Sequence, residues 1–182
     1  TFLLLSTTAL AIDTLDPLVV TATRVATPLS QLGSSVTVIT AEEIEEKQQT
    51  QVIDVLREVP GVVITRSGPL GAQTSIFLRG TDTGHTLLLI DGIEYRDAST
   101  SDGGPTLESL GTANIERIEI VRGAQSVLYG SDAIGGVINI ITKKGSRQPE
   151  GYTSIEGGSY NTWIEKAGFS AGSETVTSSF AV

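Results

Sequence analysis

The sequence predicts an α+β chain, in which a compact domain of strands and short helices is followed by antiparallel strands of a different character. Three observations predict it. Runs of β-branched residues, separated by glycine-bearing turns, recur from Ser35 to Thr142. Two helix signals stand close together between Thr40 and Gly61. From Gly151 onward the chain turns polar, dotted with glycine and only weakly alternating.

The elements follow in order. TFLLLSTTALA, residues 1–11, is an apolar run ending in the small-x-small pattern of a signal-peptidase site. No cationic segment precedes it, so it reads as a signal-peptide remnant, with cleavage expected after Ala11. Residues 12–33 hold one apolar patch, Leu18 to Val20, among polar residues and prolines at 17 and 28. That composition predicts an extended, loosely held arm. SVTVIT, residues 35–40, alternates as a strand, and Thr40 with Glu43 forms a capping box for a helix ending near Glu46. Val52, Val55 and Leu56 share one face of a second helix from about Thr50 to Arg57, which Pro60-Gly61 terminates.

Strands and turns follow. VVITR and TSIFLRG flank the loop SGPLGAQ, and HTLLLIDGIEY is two strand segments around the turn pair Asp91-Gly92. A long polar loop leads to NIERIEIVRG, whose isoleucines at 115, 118 and 120 alternate imperfectly. AQSVLYG offers one helical turn, and the apolar strand Val137 to Thr142 closes the domain. The tail, 146–182, carries the weak period-two signal of membrane barrel strands and stops in mid-strand, so the chain reads as a fragment.

Composition narrows the function. The 182 residues contain no cysteine and one histidine, His85, which excludes thiolate and histidine-rich metal sites. A formal net charge of −9 speaks against nucleic acid as a partner. LYGSDAIGGVINIITKKG has the composition of a phosphate-cradling loop, but a strand rather than a helix follows its glycines. Gly130, Gly135 and Gly136 are therefore read as turn and close-approach glycines. Asp91 and Asp132 can be pictured as paired carboxylates, but no nucleophile and base accompany them, and no catalytic residue is expected.

DPLVVTATR, LREVPGV, FLRG, LLLIDGI and IERIEIVRGAQSVLYGSDAIGGVINIITKKG, in this order, resemble the plug domain of TonB-dependent outer-membrane receptors. The resemblance implies an α+β plug with a mixed four-stranded sheet and short helices over 34–145, and the first antiparallel strands of a transmembrane β-barrel over 146–182. It implies the outer membrane of a Gram-negative bacterium, surrounding lipid, and TonB with its ExbB–ExbD energising complex as partner. Asp16, Pro17, Leu18, Val19, Val20, Thr21 and Ala22 correspond to the TonB box, which pairs with TonB as an added strand. Pro17 lacks an N–H, so pairing should begin at Leu18.

By the same resemblance, Arg79 and Arg122 face carboxylates on the barrel wall, although pairing with Asp91, Glu116, Glu119 or Asp132 inside the plug is equally open. Ligand would meet two outer loops. One comprises Ser67, Gly68, Pro69, Leu70, Gly71, Ala72 and Gln73; the other begins Asp97, Ala98, Ser99, Thr100 and Ser101 and runs to Pro105. RGTDTGHTLLLIDGI and GSDAIGGVINIIT look most like cobalamin (vitamin B12) receptors of the BtuB type, for which calcium is held elsewhere in the full-length receptor. The alternative is a ferric-siderophore or haem receptor built on the same plug.

Overall fold

The computed structural model of the chain describes residues 17–69, 71–97, 104–105, 107–108, 110–145, 148–172 and 177–181. The leader 1–11 lies outside the described residues, as do Asp16, Leu70, Ala98, Ser99, Thr100 and Ser101. In chain order the elements are β1 (Leu18–Val19), β2 (Thr27–Pro28), β3 (Ser35–Thr40), α1 (Ala41–Glu46), α2 (Val52–Arg57), β4 (Val62–Arg66), β5 (Thr74–Leu78), β6 (Thr86–Ile90) and β7 (Ile93–Glu94). Then come β8 (Ile115–Arg122), α3 (Ser126–Tyr129), β9 (Gly136–Thr142), β10 (Glu150–Gly158), β11 (Thr162–Gly172) and β12 (Thr177–Ala181).

A five-stranded mixed sheet in the order β3-β8-β9-β6-β7 organises the molecule. Only β6 and β9 run parallel. Four of its strands, β3, β6, β8 and β9, are the longer ones expected from the sequence. The fifth, β7, is a two-residue return from the Asp91-Gly92 turn, whose φ values of 52° and 81° are those of a tight type I′ hairpin. Asp91 then anchors the turn to the neighbouring strand by accepting from the Thr142 N–H (2.9 Å) and hydroxyl (2.7 Å).

One face of the sheet is dry. Ile118 and Ile120 of β8, Ile138 and Ile140 of β9 and Leu88 of β6 pack there against Ile44 of α1, the buried face of α2 and the β4–β5 hairpin. α1 starts where the sequence says it must, with both halves of the Thr40–Glu43 capping box formed. The uneven isoleucine spacing of β8 also has a cause. A β-bulge between Ile115 and Arg117 restores Ile115, Ile118 and Ile120 to the same buried face.

Gly135 and Gly136 confirm the close-approach reading. A Cβ on Gly136, whose φ is +146°, would lie 2.3 Å from both Leu78 Cδ2 and the Val121 carbonyl oxygen. At Gly135 it would lie 2.2 Å from Thr81 Oγ1. The glycines let β9 start pressed against β5 and β8.

The tail forms an antiparallel meander, β10-β11-β12. Its registers pair Gly157 with Trp163 and Phe169 with Phe180. Ile155, Trp163, Phe169 and Phe180 therefore share one face, where all four are exposed. Tyr152 points from the opposite face toward the mixed sheet, its hydroxyl donating to the Ala113 carbonyl (3.4 Å).

Candidate functional site

The second face of the mixed sheet holds the N-terminal arm. Expected to be loose, the arm is instead docked: Leu18–Val19 pairs antiparallel with Thr27–Pro28, and Val19, Thr21 and Ala22 are buried. Val19 and Ala22 pack with Val121, Val36, Val38, Leu29 and Leu32. The strand begins at Leu18, directly after Pro17.

The polar atoms of this dock converge on Thr21. Glu119, fully buried in the middle of β8, accepts through Oε2 from the Val20 N–H (3.0 Å), the Thr21 N–H (2.9 Å) and the Thr21 hydroxyl (2.6 Å). Its Oε1 accepts from Arg117 Nε at 2.9 Å. Asn139 stands opposite Glu119 in the β8–β9 register, and its Nδ2 donates to Thr21 Oγ1 (3.0 Å). The Tyr129 hydroxyl donates to the Thr21 carbonyl (2.9 Å), and the Arg24 guanidinium lies 4.5 Å from the centre of the Tyr129 ring. Burial raises the Tyr129 phenol above its ordinary range, the nearby Arg24 opposing, so the hydroxyl is a donor at any ordinary pH.

A carboxylate in the middle of a covered sheet is costly unless its lone pairs are filled. Here they are, by three donors from the arm and one from Arg117. From the sequence, Glu119 is expected only as a possible partner for the arginines, and Asn139 is not expected at any site. A signal was available for Asn139, an amide inside a strand otherwise apolar enough to be covered on both faces, but none for Glu119, which shares β8 with Glu116, Arg117 and Arg122.

Neither predicted plug arginine pairs with a carboxylate among the described residues. Arg122 donates from Nη1 to the Pro60 carbonyl (2.7 Å) and from Nη2 to Thr37 Oγ1 (2.6 Å), leaving its buried Nε without a partner. Arg79 is exposed, at a positive φ of 52°. Within the plug, the carboxylates weighed for them are engaged elsewhere: Asp91 by Thr142, Glu116 and Glu119 by Arg117, and Asp132 by Arg96.

The two predicted ligand loops meet at their bases. Residues 67–73 close through the Ser67 N–H to the Gln73 carbonyl (3.0 Å), and Asp97 N–H reaches the Gly104 carbonyl (3.3 Å). Between the loops, Thr74 N–H donates to Glu108 Oε1 and Leu107 N–H to Thr74 Oγ1, both at 3.4 Å. Crevices of about 690 and 450 Å³ lie along the seam between the mixed sheet and the meander, and neither is lined by a described residue of these loops.

Residues 28–137 match the TonB-dependent receptor plug domain. The chain belongs to this family. The plug is not an enzyme, and its place is the outer membrane. Solved structures carry the same fold. The ferric yersiniabactin uptake receptor FyuA from Yersinia pestis is 27% identical with a TM-score of 0.63, over 78% of this chain and 22% of that one. The alcaligin outer-membrane receptor FauA from Bordetella pertussis is 25% identical with a TM-score of 0.71, over 85% and 26%. The siderophore receptor PirA from Acinetobacter baumannii is 32% identical with a TM-score of 0.53, over 74% and 21%. The plug chain thus spans about a fifth to a quarter of the receptors it matches.

These relatives overturn the expectation of a cobalamin receptor. They are receptors for siderophores, so RGTDTGHTLLLIDGI and GSDAIGGVINIIT record plug architecture and not a ligand. Physically this is sensible. The first stretch builds β6, the Asp91-Gly92 turn and β7, and the second builds the close approach of β9 to β5. Calcium came only with the cobalamin resemblance, which placed it outside this chain.

Proposed function

We propose that this plug belongs to a TonB-dependent receptor that imports a ferric siderophore across the outer membrane. The ligand class is carried by the siderophore receptors that the chain resembles, and the transport reading by the division of labour in the fold: a meander with an exposed row of large apolar side chains, and a docked, strand-forming arm on one face of the mixed sheet. In a barrel, Ile155, Trp163, Phe169 and Phe180 would face lipid and Tyr152 the plug, the alternation a membrane strand needs. Residues 67–73 and 97–105, tied at Thr74, would meet ligand together. Arg79, exposed and with no carboxylate partner among the described residues, is the group that a barrel-wall carboxylate would take up.

Energy would enter through TonB, energised by ExbB–ExbD, which pairs with residues 18–22 as an added strand. The test is uptake of iron-55 by cells expressing the complete receptor, offered as hydroxamate, catecholate and mixed-ligand siderophore complexes. Uptake of one class that ceases when TonB is deleted is the expected result. Failure of every ferric siderophore to bind the purified receptor would sink the reading.

A further inference from the structure

We propose that Glu119 is a latch residue: it competes with TonB for the backbone of the arm, so that docking and strand addition exclude each other. The proposal rests on the reading of residues 18–22 as the TonB-pairing strand.

The competition is visible atom by atom. Strand addition uses the N–H and C=O groups of alternate residues along the strand. In this structure the Val20 and Thr21 N–H groups are both taken by one carboxylate oxygen of Glu119, and the Thr21 carbonyl is taken by the Tyr129 hydroxyl. Leu18 and Val19 are already paired with Pro28 and Thr27. Two successive N–H groups aimed at one oxygen form a small anion-binding nest, which an extended strand cannot keep, because its successive N–H groups point to opposite sides. A TonB strand must therefore displace Glu119 before it can pair beyond Val19.

The side chain of Thr21 makes the latch selective. Its hydroxyl donates to Glu119 and accepts from Asn139, so both hydroxyl functions and both backbone functions of Thr21 are filled by the sheet face and α3. The receiving side is rigid. Glu119 is clamped by Arg117, and Arg117 by Glu116, so the acceptor stands ready when the arm returns. TonB's apparent affinity is then its intrinsic affinity multiplied by the undocked fraction of the arm.

The experiment uses the complete receptor in isolated outer membranes, with Ala22→Cys as a reporter because Ala22 is 7% exposed when docked. A second reporter, Leu88→Cys, sits in the dry core on the other face. Labelling by an impermeant maleimide is followed in the parent, Glu119→Gln and Tyr129→Phe. Tyr129→Phe removes one neutral hydrogen bond and should speed labelling at position 22 about fivefold; Glu119→Gln, which removes charge-assisted bonds, should speed it by tenfold or more. Labelling at position 88 should stay slow. If Glu119→Gln exposes both reporters, Tyr129→Phe decides, since it keeps the ring in place. Unchanged labelling at position 22 in Tyr129→Phe and Glu119→Gln would overturn the latch.

Binding of the soluble C-terminal domain of TonB to the same membranes separates the two readings. Affinity should rise by the factor seen in labelling. A rise in labelling with no rise in TonB binding would keep the docking function of Glu119 but overturn both the competition and the pairing role of the arm. No change in labelling, with TonB binding intact, would remove the latch and leave the proposed transport function standing.

Discussion

The two faces of the mixed sheet are built from alternate residues of the same strands, yet they do different work. Ile118, Ile120, Ile138 and Ile140 face the dry side and pack in one apolar cluster with residues of α1, α2 and the β4–β5 hairpin. Glu119 and Asn139, one residue along, face the arm and hold it through hydrogen bonds to Thr21. Apolar burial is strong and indifferent to direction, so it suits a face that must never open. Hydrogen bonds yield a modest net free energy and require one geometry, so they suit a contact that has to form specifically and also break. A plug that seals a pore and releases its arm, as proposed, would need both on one sheet.

The contrast can be broken most severely from the dry side. Ile138→Ala should cost the plug about 2–5 kcal/mol, by transfer and cavity terms together. Urea unfolding of the plug within the complete receptor, followed by a fluorophore on the sheet, would measure it. A loss below about 1 kcal/mol would mean that the core collapses around the missing atoms. Gly136→Ala comes next. Its Cβ would meet the Val121 carbonyl oxygen at 2.3 Å, and its φ of +146° suits no other residue, so a loss of about 1–3 kcal/mol is expected in the same assay.

Asn139→Leu sharpens the comparison, because it keeps the volume of a residue adjacent to Ile138 and removes two hydrogen bonds, the one to Thr21 and a longer one accepted from the Gly92 N–H (3.3 Å) in the β6–β7 turn. About 1 kcal/mol should be lost, and amide hydrogen exchange should place the loss at residues 18–22 and not in β8 or β9. Loss of protection throughout the sheet would show that the two faces are not separable.

The smallest effect concerns Arg96 and Asp132, which pair on the surface near α3. Hydrogen bonds from Arg96 and Ser131 hold the Asp132 carboxyl below its ordinary range. Its folded-state pKa is depressed, so the pair contributes above the unfolded carboxylate value near 3.9 and the contribution fades as pH falls through the depressed value. Both side chains are 42% exposed, so screening limits the gain to about 0.5 kcal/mol or less. Asp132→Asn should lower the unfolding midpoint slightly at pH 7 and not at all at strongly acid pH. An equal drop at both would assign the effect to something other than charge.

Much of this architecture is written locally. The capping box at Thr40, the Asp91-Gly92 turn, the alternating strand β3 and the apolar strand β9 all formed where their residues require. Short-range rules suffice for these, because each depends on neighbours within a few positions. The bulge in β8 was legible only as an irregular isoleucine spacing; its meaning waits on which face of the sheet is dry. The arm was misjudged for a related reason. Val20, Thr21 and Ala22 have the composition of a free leader, and what holds them lies 98 positions away in sequence, the Thr21-to-Glu119 separation.

By itself, then, the sequence determined the elements, their order and the family, since periodicity, caps and turn glycines are properties of contiguous residues. It did not determine the ligand, for the stretches that suggested cobalamin are those that shape the sheet. The tertiary structure decided which polar residues within the strands are buried and what they hold. Glu119 looks like an ordinary solvent-facing position in an alternating strand; only when the arm folds back over β8 does burial force its carboxylate to find donors, and the donors it finds are the backbone of the arm.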